Sequence, residues 1–235
     1  MKERPVMIIA LAILCLASVH VHAAETTLAV LDFENNSIFN VEAYASLSRG
    51  LAQMMISALD PIQSIEVIER QKFGALLDEI KMAQSGFGSD AVLERIGQMS
   101  GAKHLLFGSF MVTPDDKIRM DVRLVEVETG KTVKAEEVTG KTKKILELID
   151  KLGIKFVKNL NVQLSKSEKN MLNRSEDVPM QAIVVYSQGL IHEDNKQDKD
   201  AYLAYKKAMQ IAPEFKQAER QMNALVQRVK AQKKQ

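Results

Sequence analysis

The chain has 235 residues, 46% hydrophobic and 26% charged, and a net charge of +2. Those proportions exclude a disordered chain and leave room for one ordinary domain plus a smaller unit. The small net charge hides a split, since residues 24–140 carry 11 Lys/Arg against 18 Asp/Glu and residues 141–235 carry 19 against 11; this favours two modules.

At the start, Lys2 and Arg4 precede an apolar run from Val6 to Val19, and Val21-His22-Ala23 puts small residues where a signal peptidase reads them. Residues 1–23 are therefore expected to be a signal peptide cleaved after Ala23, with retention as an anchor the alternative. The run falls short of the about 20 apolar residues of a membrane span. Cys15 is the only cysteine, and Leu14 stands where a lipidation signal needs a small residue. Cleavage would leave no cysteine, which excludes disulfides, thiolate metal sites and a Cys nucleophile. A cysteine-free exported chain of this size suits a bacterial envelope compartment.

Thr26 to Phe33 is a short buried strand, closed by Glu34-Asn35-Asn36-Ser37 as a loop. Val41 to Leu59 repeats apolar residues at helical spacing, with Tyr44, Leu47, Leu51, Met54, Met55 and Ala58 on one face, and Pro61 ends the helix. Ile65 to Ile68 is a second strand. A second amphipathic helix runs from Glu69 to Met82 and is broken at Ser85-Gly86-Phe87-Gly88-Ser89. A third, capped by Ser89 or Asp90, runs through Met99 and closes at Gly101.

Three antiparallel strands follow. His104 to Val112 is almost continuously apolar, as a central strand covered on both faces would be. From Ile118 the pattern alternates, with Ile118, Met120, Val122 and Leu124 on one face and Arg119, Asp121 and Arg123 on the other. At Leu124-Val125 the phase flips, and a β-bulge is expected to return Val125 and Val127 to the core face. Thr132 to Thr139 mixes Val133, Ala135 and Val138 with Lys134, Glu136 and Glu137, which suits an exposed edge. Thr113-Pro114-Asp115-Asp116 and Glu128-Thr129-Gly130-Lys131 have the chemistry of the two turns.

Past Gly140 the pattern is helical. Ile145, Leu148, Ile149, Leu152, Phe156, Val157 and Leu160 mark a long helix that can pack back on the sheet, and the polar stretch 163–179 reads as a linker or loosely held connection. Beyond it, Gly189, Ala201, Tyr205, Ala208 and Pro213 stand at the relative spacing of the small, aromatic and proline positions of a tetratricopeptide repeat. One such unit should lean on its neighbouring domain or on another subunit, because a repeat buries its core by stacking. An unrelated helical hairpin is the alternative. The fold class is thus α/β, a mixed sheet covered by helices over residues 24–162, followed by an all-α repeat-like unit over 180–235.

Catalytic resources are thin. His104, at the start of the central strand, reads as a packed or edge residue rather than a general base. His192-Glu193-Asp194 cannot converge on one ion from consecutive helix positions and reads as a solvated helix terminus. Ser85-Gly86-Phe87-Gly88 lacks the further residues of a dinucleotide fingerprint or P-loop and is a helix break. The basic end, Arg228 to Lys234, lacks interleaved aromatics, so nucleic acid is not an expected partner. No enzyme, metal or cofactor is expected.

Together, Ala29-Val-Leu-Asp-Phe33, Ile65-Glu-Val-Ile-Glu-Arg70 with Leu76-Leu77-Asp-Glu79, Gly101-Ala102 leading to Leu105-Leu-Phe-Gly-Ser109, and Val122-Arg-Leu-Val-Glu-Val-Glu-Thr-Gly130-Lys131 resemble the CsgG family of curli production assembly and transport components. The resemblance covers roughly 28–140. It implies a periplasm-facing α/β domain taking part in envelope assembly or export. The family's channel adds long membrane-spanning hairpins and a lipidated Cys; here the link from Phe110 to Ile118 is a tight turn and the lipid anchor is absent.

The reading that follows is a periplasmic, outer-membrane-associated adaptor that binds envelope proteins, with homo-oligomers and peripheral membrane association open. Strand addition at Thr132, Val133, Lys134, Ala135 and Glu136 and a partner segment on the helical unit would carry binding. The alternatives are a pore-forming secretion subunit and a periplasmic activator of a cell-wall synthase.

Overall fold

The computed structural model describes residues 26–68, 99–173 and 176–232. The expected signal peptide with Cys15, the second amphipathic helix and the glycine-containing break after it lie outside these residues, as does all of the third helix but Met99 and Ser100, which are helical.

Among the described residues six strands form one mixed sheet: β1 (Thr26–Val30), β2 (Glu34–Asn35), β3 (Ile65–Ile68), β4 (His104–Thr113), β5 (Lys117–Glu126) and β6 (Thr132–Lys141). Their order is β3-β1-β4-β5-β6, with β2 also paired to β4. The β1 pairings with β3 and β4 are parallel, and β4-β5-β6 is an antiparallel meander. Glu34 and Asn35, expected in a loop, pair with Ser109 and Phe110 of β4. They take up the backbone partners that β1, ending at Val30, leaves free along that side of β4.

Alternation along β4 and β5 sorts the side chains. Leu106, Phe110 and Val112 of β4 and Ile118, Met120, Val122 and Leu124 of β5 enter the main core. Over them lie α2 (Leu47–Leu59) and α3 (Ile145–Asn159), through Leu47, Leu51, Met54 and Met55 on one and Ile145, Ile149, Leu152 and Phe156 on the other. Burying each such side chain contributes about 1.5–3 kcal/mol. Gly108 interrupts the apolar run of β4 because a Cβ there would lie 2.1 Å from the carbonyl oxygen of Asp121. The predicted cover on both faces of β4 holds only near its start, where neighbouring Leu105 and Leu106 are both buried.

The phase flip at Leu124-Val125 is real, but its resolution differs from the expected one. The pairing of β4 with β5 is continuous through it. The register break lies between β5 and β6, where Leu124 faces Lys134 and Val125 faces Thr132, so the extra residue is Val133 on β6. Val125 therefore stays paired with Leu105 on the face opposite the main core. On that face a second, smaller cluster joins Leu105 and Val127 to Ala29, Leu31, Ile68 and Ala102. The flip serves a second core instead of returning to the first.

The helix expected over 41–59 is divided into α1 (Val41–Tyr44) and α2. Tight bonds from the Ala45 N–H to the Glu42 carbonyl and from the Ser48 N–H to the Ala45 carbonyl bend the chain between them. After β6, α3 is followed by α4 (Lys166–Met171), α5 (Met180–Asp194), α6 (Asp198–Ile211) and α7 (Lys216–Gln232). The stretch 163–179 is not loosely held where it is described. Ser165 and Glu168 form a reciprocal capping box on α4, Leu172 and Val178 are buried, and the Val178 N–H donates to the Lys143 carbonyl. Its polar composition conceals these two apolar anchors.

Candidate protein-binding surfaces

β6 is an edge of the sheet among the described residues. Thr132, Val133, Lys134 and Ala135 are exposed, with the bulged Val133 side chain presented to solvent. Glu136 is different. It pairs with Val122, a core-face residue, and lies where α3 passes. The Lys155 ammonium lies 2.9 Å from its carboxylate and Lys134 lies at 3.6 Å. The hydrogen bond from Lys155 is the main influence holding the Glu136 carboxyl below its usual range. Lys155 also donates to the Glu137 carbonyl. The expected edge therefore divides into an open half, Thr132 to Ala135, and a half engaged by α3.

On the face away from α3, Arg119 makes a bidentate contact with Asp121 at 2.9 and 2.8 Å and reaches Glu137 at 2.7 Å. These groups are solvated, and such surface pairs contribute little stability.

The helical residues singled out by spacing converge, Pro213 apart. Gly189 on α5 lies against Tyr205 and Ala204 on α6, and Ala201, Tyr205 and Ala208 are buried between the helices. Pro213 is exposed in the connection after α6 ends. Tyr186 meets Tyr205 with ring centroids 5.7 Å apart and Phe215 edge-on at 5.1 Å. Burial raises the pKa of both tyrosines, with the Glu193 hydrogen bond adding to the effect at Tyr205.

His192-Glu193-Asp194 is only partly a solvated terminus, because two of its three residues are engaged by other helices. Glu193 accepts hydrogen bonds from the Tyr205 hydroxyl at 2.6 Å, Gln221 at 3.2 Å and Arg228 at 2.6 Å, while the other arm of Arg228 reaches Asp198 at 2.8 Å. Asp194 accepts from buried Arg49 of α2 at 2.9 Å. Asp194 stays exposed despite this bond, as expected, whereas His192 is half-buried and faces Gln197. Consecutive residues on a helix point about 100° apart, so Glu193 can turn to α6 and α7 while Asp194 turns to α2.

The helical unit leans on the α/β domain through α2. A Cβ on Gly50 would fall 1.8 Å from the Ser187 hydroxyl oxygen, the Ser46 hydroxyl donates to the Val184 carbonyl, and Gln217 donates to Ser57 at 2.9 Å. Thus α2 covers the sheet with one face and supports α5 and α7 with the other. Neither Arg49 nor Gln217 stands out in the sequence as a contact residue, and Glu193 reads there only as part of a helix end; an Arg two residues from Leu47 and Leu51 is the available signal, being a charge inside an apolar stripe.

His104 is half-buried at the start of β4, with Nδ1 2.9 Å from the Thr26 hydroxyl. Burial lowers its pKa, against the opposing pull of Glu126. Among the described residues no group of three His, Cys, Asp or Glu side chains is placed to hold a metal ion, and no helix is long and apolar enough to cross a membrane.

The model of the family described as curli production assembly/transport component CsgG matches residues 14–113, under half of the chain. No curated protein matches significantly. Solved structures similar to this chain include the LpoB C-terminal domain from Salmonella enterica, 16% identical, with TM-score 0.35 over 50% of this chain and 84% of that one. TolB from Acinetobacter baumannii is 12% identical, with TM-score 0.42 over 59% of this chain and 29% of that one. The PelC dodecamer from Paraburkholderia phytofirmans is 13% identical, with TM-score 0.37 over 61% of this chain and 93% of that one.

Proposed function

We propose that this chain is a CsgG-type protein of the bacterial envelope that works in the periplasm as a protein-binding adaptor and not as a pore. The match of the family model to residues 14–113 supports the assembly and transport theme. The observation that carries the adaptor reading is the open half of β6, a sheet edge with Thr132 to Ala135 exposed and Val133 bulged outward. An extended partner segment can add to such an edge through main-chain hydrogen bonds and seat a side chain beside Val133. The repeat-like unit α5-α6-α7 offers a second docking surface, held in fixed relation to the sheet by α2.

A pore is disfavoured by the use to which the meander is put. The strands β4 and β5 are joined by the three residues 114–116, and one face of each is packed under α2 and α3. A lipid-facing strand needs its apolar face turned to the bilayer instead.

The test is a photo-crosslinking amino acid at Val133 in the full chain, expressed in its native cell. A discrete adduct that disappears with Thr132→Pro supports strand addition. Channel conductance by the purified chain in planar bilayers would overturn the adaptor reading.

A further inference from the structure

A short loop between β2 and α1 presents Ile38 at 75% exposure, Phe39 at 53% and Val41 at 43%. Its shape is fixed from both ends. Asn35 donates to the Val41 carbonyl at 3.0 Å and accepts from the Ser37 N–H at 3.0 Å, while the buried Ser37 hydroxyl accepts from the Val112 N–H at 3.0 Å. The exposed charged neighbours, Glu34 and Glu42, are both acidic, and neither has an ion-pair partner among the described residues. The loop is an apolar tip with a negative rim, its shape set by these bonds.

On α6 the opposite arrangement occurs. Lys199, Tyr202, Leu203, Lys206 and Lys207 recur at the i, i+3, i+4, i+7, i+8 spacing of one helix face. All are exposed, Tyr202 at 37% and Leu203 at 51%, and the three lysines have no ion-pair partner among the described residues. This is an apolar stripe with a rim of three lysines and one exposed acid, Asp200, and so net positive. The two surfaces match in kind and oppose in charge, and they belong to the oppositely charged halves of the chain.

We infer that the occupant of the 38–41 tip is the α6 stripe of a second copy of this chain. The contact joins different surfaces of the two copies and is therefore head-to-tail, so it propagates until geometry closes it. Few side chains take part, which places it among small, transient interfaces. This goes beyond the adaptor reading, since it requires no other protein and leaves the β6 edge free.

The experiment uses full-length chains in which Cys15 is changed to Ser, so that introduced cysteines are the only ones. A Phe39→Cys chain is mixed with a Leu203→Cys chain of distinguishable mass and treated with a short bis-maleimide. The expected product is the mixed dimer, at about tenfold or more over the Phe39→Cys chain alone or mixed with Lys169→Cys, an exposed position elsewhere. Glu34→Lys with Glu42→Lys should abolish it, and adding Lys206→Glu with Lys207→Glu should restore it. Raising salt to about 1 M, where screening acts within about 3 Å, should reduce it severalfold. A mixed dimer no more abundant than the Lys169→Cys control, or one indifferent to the charge reversals, overturns the inference. So does Phe39-dependent binding of the uncrosslinked chain to phosphatidylethanolamine vesicles, which would make the tip's occupant a lipid surface.

Discussion

Gly189 lies so close to Tyr205 that a Cβ built on it would stand 2.5 Å from the ring carbon Cε1 and 2.7 Å from Cδ1. The ring cannot retreat, because it is buried against Tyr186 and its hydroxyl is tied to Glu193 at 2.6 Å. Gly189→Ala should therefore destabilise the protein by about 1–3 kcal/mol despite the better helix propensity of Ala. Thermal denaturation followed by circular dichroism measures this. Leu203→Ala, on the exposed face of the same hairpin, should stay within about 0.5 kcal/mol.

Arg49 sits in the apolar stripe of α2 and is buried, with its guanidinium on Asp194 at 2.9 Å and Gln53 at 3.1 Å. Its removal leaves Asp194 without this charge partner and opens the seam between α2 and α5. Arg49→Ala is expected to cost about 1–3 kcal/mol, a loss larger than that of an exposed ion pair. Because the seam joins the helical unit to the sheet, urea unfolding should also separate into two transitions when α-helical and near-ultraviolet signals are compared. Coincident transitions in the variant would show that α5 is held to α2 without the Arg49–Asp194 pair.

The fold was legible wherever one periodicity ran without interruption. The alternation of Ile118 to Leu124, the helical stripe of Ile145 to Val157 and the small residues Ala201 and Ala208 each state a local geometry that tertiary packing then uses. What was not legible depended on partners distant in sequence. Nothing near Val125 indicates that it will meet Leu105, and so the bulge was expected to rescue its orientation when a second core made rescue unnecessary. Likewise Glu193 and Asp194 look like a wet helix end until Arg228 and Arg49 arrive from residues 35 and 145 positions away. The candidate edge was readable as a strand margin from its mixed polarity, but the engagement of Glu136 by Lys155 was not.

His104 should give stability a measurable slope near neutral pH. Burial lowers its folded pKa below the ordinary histidine value of about 6.5, so the unfolded chain binds the proton more readily. Its contribution is complete above about pH 6.5 and declines as pH falls through that value towards the lower folded one. Chemical denaturation at pH 7.5 and 5.5 should show a fall in stability that His104→Gln reduces. An NMR titration of the imidazole should place its midpoint below that of a free histidine.

Glu168 ties the stretch between the sheet domain and the helical unit to α2's end. Its carboxylate accepts the Ser165 N–H at 2.8 Å and the Gln63 N–H at 3.0 Å, while the Ser165 hydroxyl accepts the Glu168 N–H at 3.2 Å. The Ser165 side chain is the first cause of a lowered carboxyl pKa, followed by the N–H groups of Gln63 and Ser165. A depressed folded pKa means that this anchoring is present above the unfolded carboxyl value of about 4.3 and is lost as pH falls through the folded one. Ser165→Ala should cost about 0.5–2 kcal/mol as a helix cap. Glu168→Gln removes the charge but keeps an oxygen acceptor, so it should weaken the anchoring at all pH values and flatten its dependence near pH 4. Limited proteolysis reads the local effect: cleavage within 163–173 should accelerate in both variants at pH 7, and in the parent chain only on acidification. Equal protection of parent and variants would mean that buried Leu172 holds the segment without the capping box.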